Sequence, residues 1–119
     1  MNIETLYRYL AAKPGATEDF PFGEDTLVMK VRGKLFALVA LDEIPTRVYL
    51  KCDPLEAIHL RERHAAVLPG YHMNKKHWNT VVLAGSLPTD LLQTMIDDSY
   101  RLVVANLTQR ERAALRDEG

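Results

Sequence analysis

The chain has 119 residues, 47% of them apolar and 26% charged, with a formal net charge of −1. Those totals fit one soluble globular domain spanning 1–119 with its own core, and no apolar run approaches the roughly 20 residues that cross a bilayer, so no membrane partner is expected. Cys52 is the single cysteine, which excludes an internal disulfide, and the N-terminus lacks the basic-then-apolar pattern of a secretory signal, so the expected compartment is the cytoplasm.

Ile3, Leu6, Tyr7 and Leu10 recur at helical spacing behind Asn2, a good N-cap, and Pro14-Gly15 stops the run, so the first element is a short amphipathic helix. From Ala16 to Asp25 the chain reads as an acidic loop, pinned to the core by Phe20 and Phe22. Leu27, Met29 and Val31 alternate with Val28, Lys30 and Arg32, the pattern of a strand buried on one face. Gly33-Lys34 connects it tightly to Leu35–Leu41, an apolar strand suited to the centre of a sheet. Asp42-Glu43-Ile44-Pro45 then turns the chain into an alternating strand over Thr46–Cys52.

Asp53-Pro54-Leu55-Glu56 is a strong helix start, with Asp53 as N-cap and Pro54 at the first helical position, and the helix runs to about His64. Pro69-Gly70 opens a polar loop that holds two histidines, two adjacent lysines and the only tryptophan, and Trp78–Leu83 follows as a strand. Beyond Leu87-Pro88-Thr89-Asp90, the residues Leu92, Met95, Ile96, Ser99, Leu102 and Val103 form the clearest helical stripe of the chain. Thr108 and Glu111 form a capping box that starts a short charged C-terminal helix.

Charge is spread unevenly. Nine Lys and Arg against five Asp and Glu leave residues 27–82 at +4, between ends at −3 and −2, and all four histidines lie in that basic middle. If Leu27, Met29, Val31, Val48, Leu50 and Cys52 face the helices, then Lys30, Arg32, Arg47, Tyr49 and Lys51 share the other face of the sheet. Such a face can hold phosphates and stack a base, or it is simply the solvated side of an antiparallel sheet. Lys75 and Lys76 beside His77 and Trp78 offer a second group of the same kind, two ammonium groups next to an indole.

Other chemistry finds little support. The histidine spacings match no zinc signature, and the loop at 69–80 holds no carboxylate, so no metal and no cofactor is expected. Cys52 with a histidine is the only nucleophile pairing worth naming, and its inward position makes it a packed thiol. Glycine-rich phosphate loops, dinucleotide fingerprints and paired catalytic carboxylate motifs are missing, so no enzymatic mechanism is expected.

Several stretches together carry a resemblance: Glu18-Asp19-Phe20-Pro21-Phe22-Gly23, Lys34-Leu35-Phe36-Ala37-Leu38-Val39, Leu50-Lys51-Cys52-Asp53-Pro54, the whole of 69–81, and Gly85-Ser86-Leu87-Pro88. On these the chain resembles the MmcQ/YjbR family of small bacterial proteins over nearly its whole length. The resemblance implies an α+β two-layer fold like that of CyaY/frataxin, a double-wing antiparallel sheet with helices packed on one face. It also implies DNA binding, by analogy of fold, with no residues established for that role. It does not bring iron binding, because Glu4 is the only acid among residues 1–12.

The favoured function is therefore weak, mainly phosphate-directed DNA binding through Lys30, Arg32, Arg47, Tyr49, Lys51, Lys75 and Lys76. The alternative is a small-ligand or protein-interaction module whose cleft is lined by His72, Asn74, His77 and Trp78 against the Phe20–Gly23 loop. A monomer or weak dimer is expected in either case.

Overall fold

Three helices begin where the sequence supplies a side-chain cap, whereas another, Thr89–Ala105, starts behind Pro88 with no side-chain cap bond. In the computed structural model, which describes residues 1–71, 73–85 and 87–118, the Asn2 Oδ1 accepts the Thr5 N–H at 2.8 Å and starts α1 (Ile3–Ala11). The Asp53 carboxylate does the same for Glu56 N–H at α2 (Pro54–Arg63). Thr108 and Glu111 cap each other reciprocally at the start of α4 (Gln109–Glu118). The longest helix, α3 (Thr89–Ala105), buries Leu92, Met95, Ile96, Ser99 and Val103, the stripe read from its sequence.

Among the described residues, six strands form one antiparallel sheet: β1 (Ala16–Asp19), β2 (Thr26–Val31), β3 (Lys34–Ala40), β4 (Arg47–Lys51), β5 (Val67–Pro69) and β6 (Trp78–Val82), in the order β1-β2-β3-β4-β6-β5. The β2–β3–β4 meander is as expected. Its first turn is built by Arg32 and Gly33, with φ of 50° and 79°, which matches the twist of the strands it joins. Arg32 thus sits at a turn tip and not on the strand face assigned to it.

Two strands were not expected. The acidic stretch at Ala16–Asp19 pairs with β2 instead of looping, and Val67–Pro69 pairs with β6. Phe20 and Phe22 do not pin their loop to the core; both are exposed.

The helices cover one face of the sheet. Leu6 and Leu10 of α1, Ala57 and Leu60 of α2, the α3 stripe and Leu115 of α4 pack with Leu27, Met29, Val39, Val48, Leu50 and Val81 in a single core. Ser99 stitches the layers together: its hydroxyl donates to the Phe36 carbonyl at 2.6 Å and accepts the Lys51 N–H at 2.8 Å. Lys13 joins α1 to α3 through an ion pair with Asp97, whose carboxylate also accepts the Tyr9 hydroxyl at 2.7 Å.

The opposite face is not the solvated cationic surface that alternation suggested. Register aligns Asp19, Val28, Leu38, Tyr49, Thr80 and Leu68 in one row across it. Val28 and Thr80 in that row are fully buried, and Tyr49 is only 7% exposed. Connecting loops reach over this face and cover part of its middle, a cover that local periodicity does not encode.

Candidate functional site

The outer face holds a cleft of about 380 Å³. Its floor is Thr26 of β2, Leu38 and Ala40 of β3, and Tyr49 of β4; the pairs Thr26–Ala40 and Leu38–Tyr49 are direct cross-strand neighbours. Its walls come from three loops, as Phe22, Glu43 and Met73. The Phe22 loop is fixed by Thr26 N–H to the Gly23 carbonyl at 3.3 Å and by Leu41 N–H to the Asp25 carbonyl at 2.8 Å. The Met73 loop is fixed by Met73 N–H to the Gly70 carbonyl at 2.9 Å.

Tyr49 gives this cleft its chemistry. The side chain is more than nine-tenths buried, yet among the described residues its hydroxyl has no hydrogen-bond partner. Among the described residues no fully enclosed polar side-chain atom is left without a partner, so the hydroxyl is not sealed in the protein, and Tyr49 lines the cleft. An apolar floor, a ring and a thioether in the walls, and a few converging polar groups are what small-molecule sites are made of.

The expected cleft residues have other duties. Asn74 shapes the loop: its Oδ1 accepts the Lys76 N–H at 3.0 Å, and its carbonyl accepts the His77 and Trp78 N–H groups. His77 accepts the Cys52 N–H at its carbonyl, 2.7 Å away. Trp78 is half-buried and pairs with Lys51. His72 lies outside the described residues. Phe22 and Met73, one from each of the two loops named for the expected cleft, line the cleft found here, and Asn74, His77 and Trp78 do not.

The anticipated phosphate-binding residues do not form one patch. Lys30 is paired with Asp19 at 2.9 Å, Tyr49 is inside the cleft, and Arg47 stands at the far end of β4. The register nonetheless gathers a basic rim at the end of the sheet that holds the Arg32 turn. Lys34 and Lys51 are there, and Lys51 pairs with Trp78, whose loop carries Lys75 and Lys76. Both of these lysines are exposed, and among the described residues neither forms an ion pair. The Lys75 ammonium sits 6.0 Å from the centre of the Tyr71 ring.

Cys52 is buried, and burial, together with the nearby Glu56, Asp98 and Asp53 carboxylates, pushes its thiol up to about 11. A nucleophilic thiolate is disfavoured there. Among the described residues, no three His, Cys, Asp or Glu side chains are placed to hold a metal ion, and no helix is long and apolar enough to cross a membrane.

A family model described as YjbR matches residues 11–102. The chain belongs to the YjbR family. Over 115 residues it is 39% identical to the protein YjbR of Escherichia coli K12, covering 97% of this chain and 98% of that one. It is 36% identical over 114 residues to YbdF of Escherichia coli O157:H7, covering 95% and 93%. Both relatives are described as uncharacterised proteins. The crystal structure of the Deinococcus radiodurans protein DR2400 matches with a TM-score of 0.90 at 38% identity, covering 96% of this chain and 87% of that one. A Pseudomonas syringae crystal structure matches at 0.75 and 28% identity, covering 87% and 99%. The expected family and the α+β fold are therefore both established.

At the 69–81 stretch, the geometry gives a physical reason for the glycine. Gly70 donates its N–H to the Trp78 carbonyl at 2.9 Å. A Cβ on Gly70 would stand 2.5 Å from that oxygen and 2.6 Å from the Trp78 Cβ. The motif is thus a clamp that closes the loop on itself and delivers Met73 to the cleft. Asn79, fully buried next to the clamp, accepts from Arg61 at 2.9 Å and donates to the Ala57 carbonyl, tying β6 to α2.

Proposed function

We propose that this protein is a non-enzymatic binding module for a small, largely apolar molecule held in the outer-face cleft. The observation that carries the reading is the Tyr49 hydroxyl, which reaches the cleft from an otherwise buried side chain and has no partner among the described residues. It is therefore free to bond a ligand polar group directly, and a typical hydrogen bond of this kind contributes about 0.5–1.5 kcal/mol. The volume falls in the range that drug-sized ligands occupy, roughly 300–1,000 Å³. A metabolite screen read by thermal shift tests this, because a ligand that binds only the folded state raises Tm. Tyr49→Phe keeps the ring and removes the hydrogen bond, so it should weaken a hit by about 2- to 10-fold at unchanged fold. A screen without hits, or hits that ignore Tyr49→Phe, counts against the proposal.

The basic rim favours a second reading, weak phosphate-directed DNA binding by Lys51, Lys75 and Lys76 together with the Arg32 turn. Affinity would then fall with salt at a slope near −0.9 per phosphate contacted, and replacing Lys75 and Lys76 together by Ala would reduce the slope by up to about 2. Absence of binding to duplex DNA at low salt ends this reading.

A further inference from the structure

The end of the sheet opposite the basic rim carries apolar side chains that the core does not use. Ile44 is 96% exposed, and Ile3 and Phe20 are each 44% exposed. Two depressions lie between them. One, of about 300 Å³, is lined by Ile3, Glu4, Glu18 and Phe20 over a bed of Leu6, Leu27 and Val39. The other, of about 540 Å³, is lined by Ile3, Glu4, Glu43 and Ile44. They share Ile3 and Glu4, so together they make one trough running from Phe20 past the start of α1 to Ile44. Exposed apolar surface of this kind marks interaction sites on otherwise soluble proteins.

The charge around the trough is mainly negative, although Met1 also lines it and Arg8 pairs with Glu4. Glu4, Glu18 and Glu43 line it, Asp19 follows Glu18 at the end of β1, and Glu24, Asp25 and Asp42 lie in the β1–β2 and β3–β4 loops. Of these, Glu4 is paired with Arg8 and Asp19 with Lys30; among the described residues the other five make no ion pair. Residues 1–26 as a whole carry five acids against two bases.

We infer that this acidic, apolar trough is a docking surface for a basic amphipathic helix of a partner protein. Two depressions on either side of Ile3 accept apolar side chains one or two turns apart on one helix face. The carboxylates along both rims meet Lys or Arg flanking that face, which raises the association rate and selects against acidic partners. The trough adjoins the Tyr49 cleft and shares Glu43 with it, but Ile3, Phe20 and Ile44 do not line the cleft, and the inference does not rest on a ligand there.

The test uses a fluorescein-labelled synthetic helix of Leu and Lys, about four turns long with all Leu on one face. Its controls are a Leu/Glu counterpart and a scrambled Leu/Lys peptide that has no apolar face. Fluorescence anisotropy with the full chain should show saturable binding of the Leu/Lys helix and at least about tenfold weaker binding of both controls. Phe20→Ser combined with Ile44→Ser removes a fully exposed and a half-exposed apolar side chain, and should weaken the Leu/Lys helix at least about tenfold in a chain whose melt is still cooperative; Ile44→Ser alone, at a 96% exposed side chain, should weaken it while Tm stays close to the parent. Equal binding of the Leu/Lys helix and either control overturns the inference, as does unchanged binding to the double variant. A concentration-dependent dimer in sedimentation that the double variant abolishes also overturns it, because the trough would then serve a second copy of this chain.

Discussion

Replacing Gly70 by Ala puts one methyl group where the chain has no room for it. The nearest atoms are the Trp78 carbonyl oxygen at 2.5 Å, its Cβ at 2.6 Å and its carbonyl carbon at 2.8 Å, two of which are backbone held in the β4–β6 and β5–β6 ladders. No side-chain rotation relieves such a contact, so the loop must move away from β6 and the Gly70–Trp78 hydrogen bond must lengthen. Overpacking of this kind costs about 2 kcal/mol. The stiffer unfolded chain offsets about 0.5 kcal/mol, which leaves a loss of about 1.5 kcal/mol. With an unfolding entropy of about 2.1 cal/mol/K per residue, the whole domain carries about 250 cal/mol/K, so Tm should fall by about 6 °C. Circular dichroism melts and urea titrations measure this directly. Amide chemical-shift changes should also centre on residues 70–78 and on the cleft floor beneath Met73. A Tm within a degree of the parent would refute the clamp, since it would mean the loop accepts a Cβ without yielding.

Ser99→Ala removes both interlayer bonds and leaves the Phe36 carbonyl and Lys51 N–H without their partner, at a cost of about 2 kcal/mol in urea denaturation; a loss below about 0.5 kcal/mol would contradict that role. The α1–α3 clamp predicts a pH effect. Burial alone would raise the Asp97 carboxyl, but the Lys13 ammonium and the Tyr9 hydroxyl outweigh it and hold the group below the usual carboxylate range. A carboxyl held low in the folded chain adds stability that is complete above its unfolded pKa, about 4, and is lost as pH falls through the folded value. The stability gap between the parent and Asp97→Asn should therefore be constant near neutrality and close below about pH 4. A gap that widened in acid would reverse the assignment.

Much of the fold was legible because the signals were local. Asn2, Asp53 and Thr108 cap the helices they appeared to cap, and the α3 stripe is buried as spaced. The strands that were missed lack that signature: Ala16–Asp19 is exposed at three of its four positions, and Val67–Pro69 is three residues long and ends in proline. Lys30, Arg47, Tyr49 and Lys51 do share a face, so the period-two reading was right about direction. It failed on environment, because the cover over that face comes from loops distant in sequence. Val28 held the clue, an apolar residue in a row read as solvated. Phe22, Glu43 and Met73 reach the cleft only through tertiary placement, which no spacing in the chain records. Tyr49 was singled out for stacking on a base, and the structure puts its ring in a floor instead.

The sheet is open, so its two outermost strands each present a side with no neighbouring strand. At one, β1 ends in Glu18 and Asp19; at the other, β5 ends in Pro69, which has no N–H to give. Carboxylates and proline are poor templates for adding a strand from another chain. Strand-by-strand growth into fibres or sheet-extended dimers is thereby discouraged, and association is left to side chains at the two ends of the strands, one acidic and apolar, the other basic.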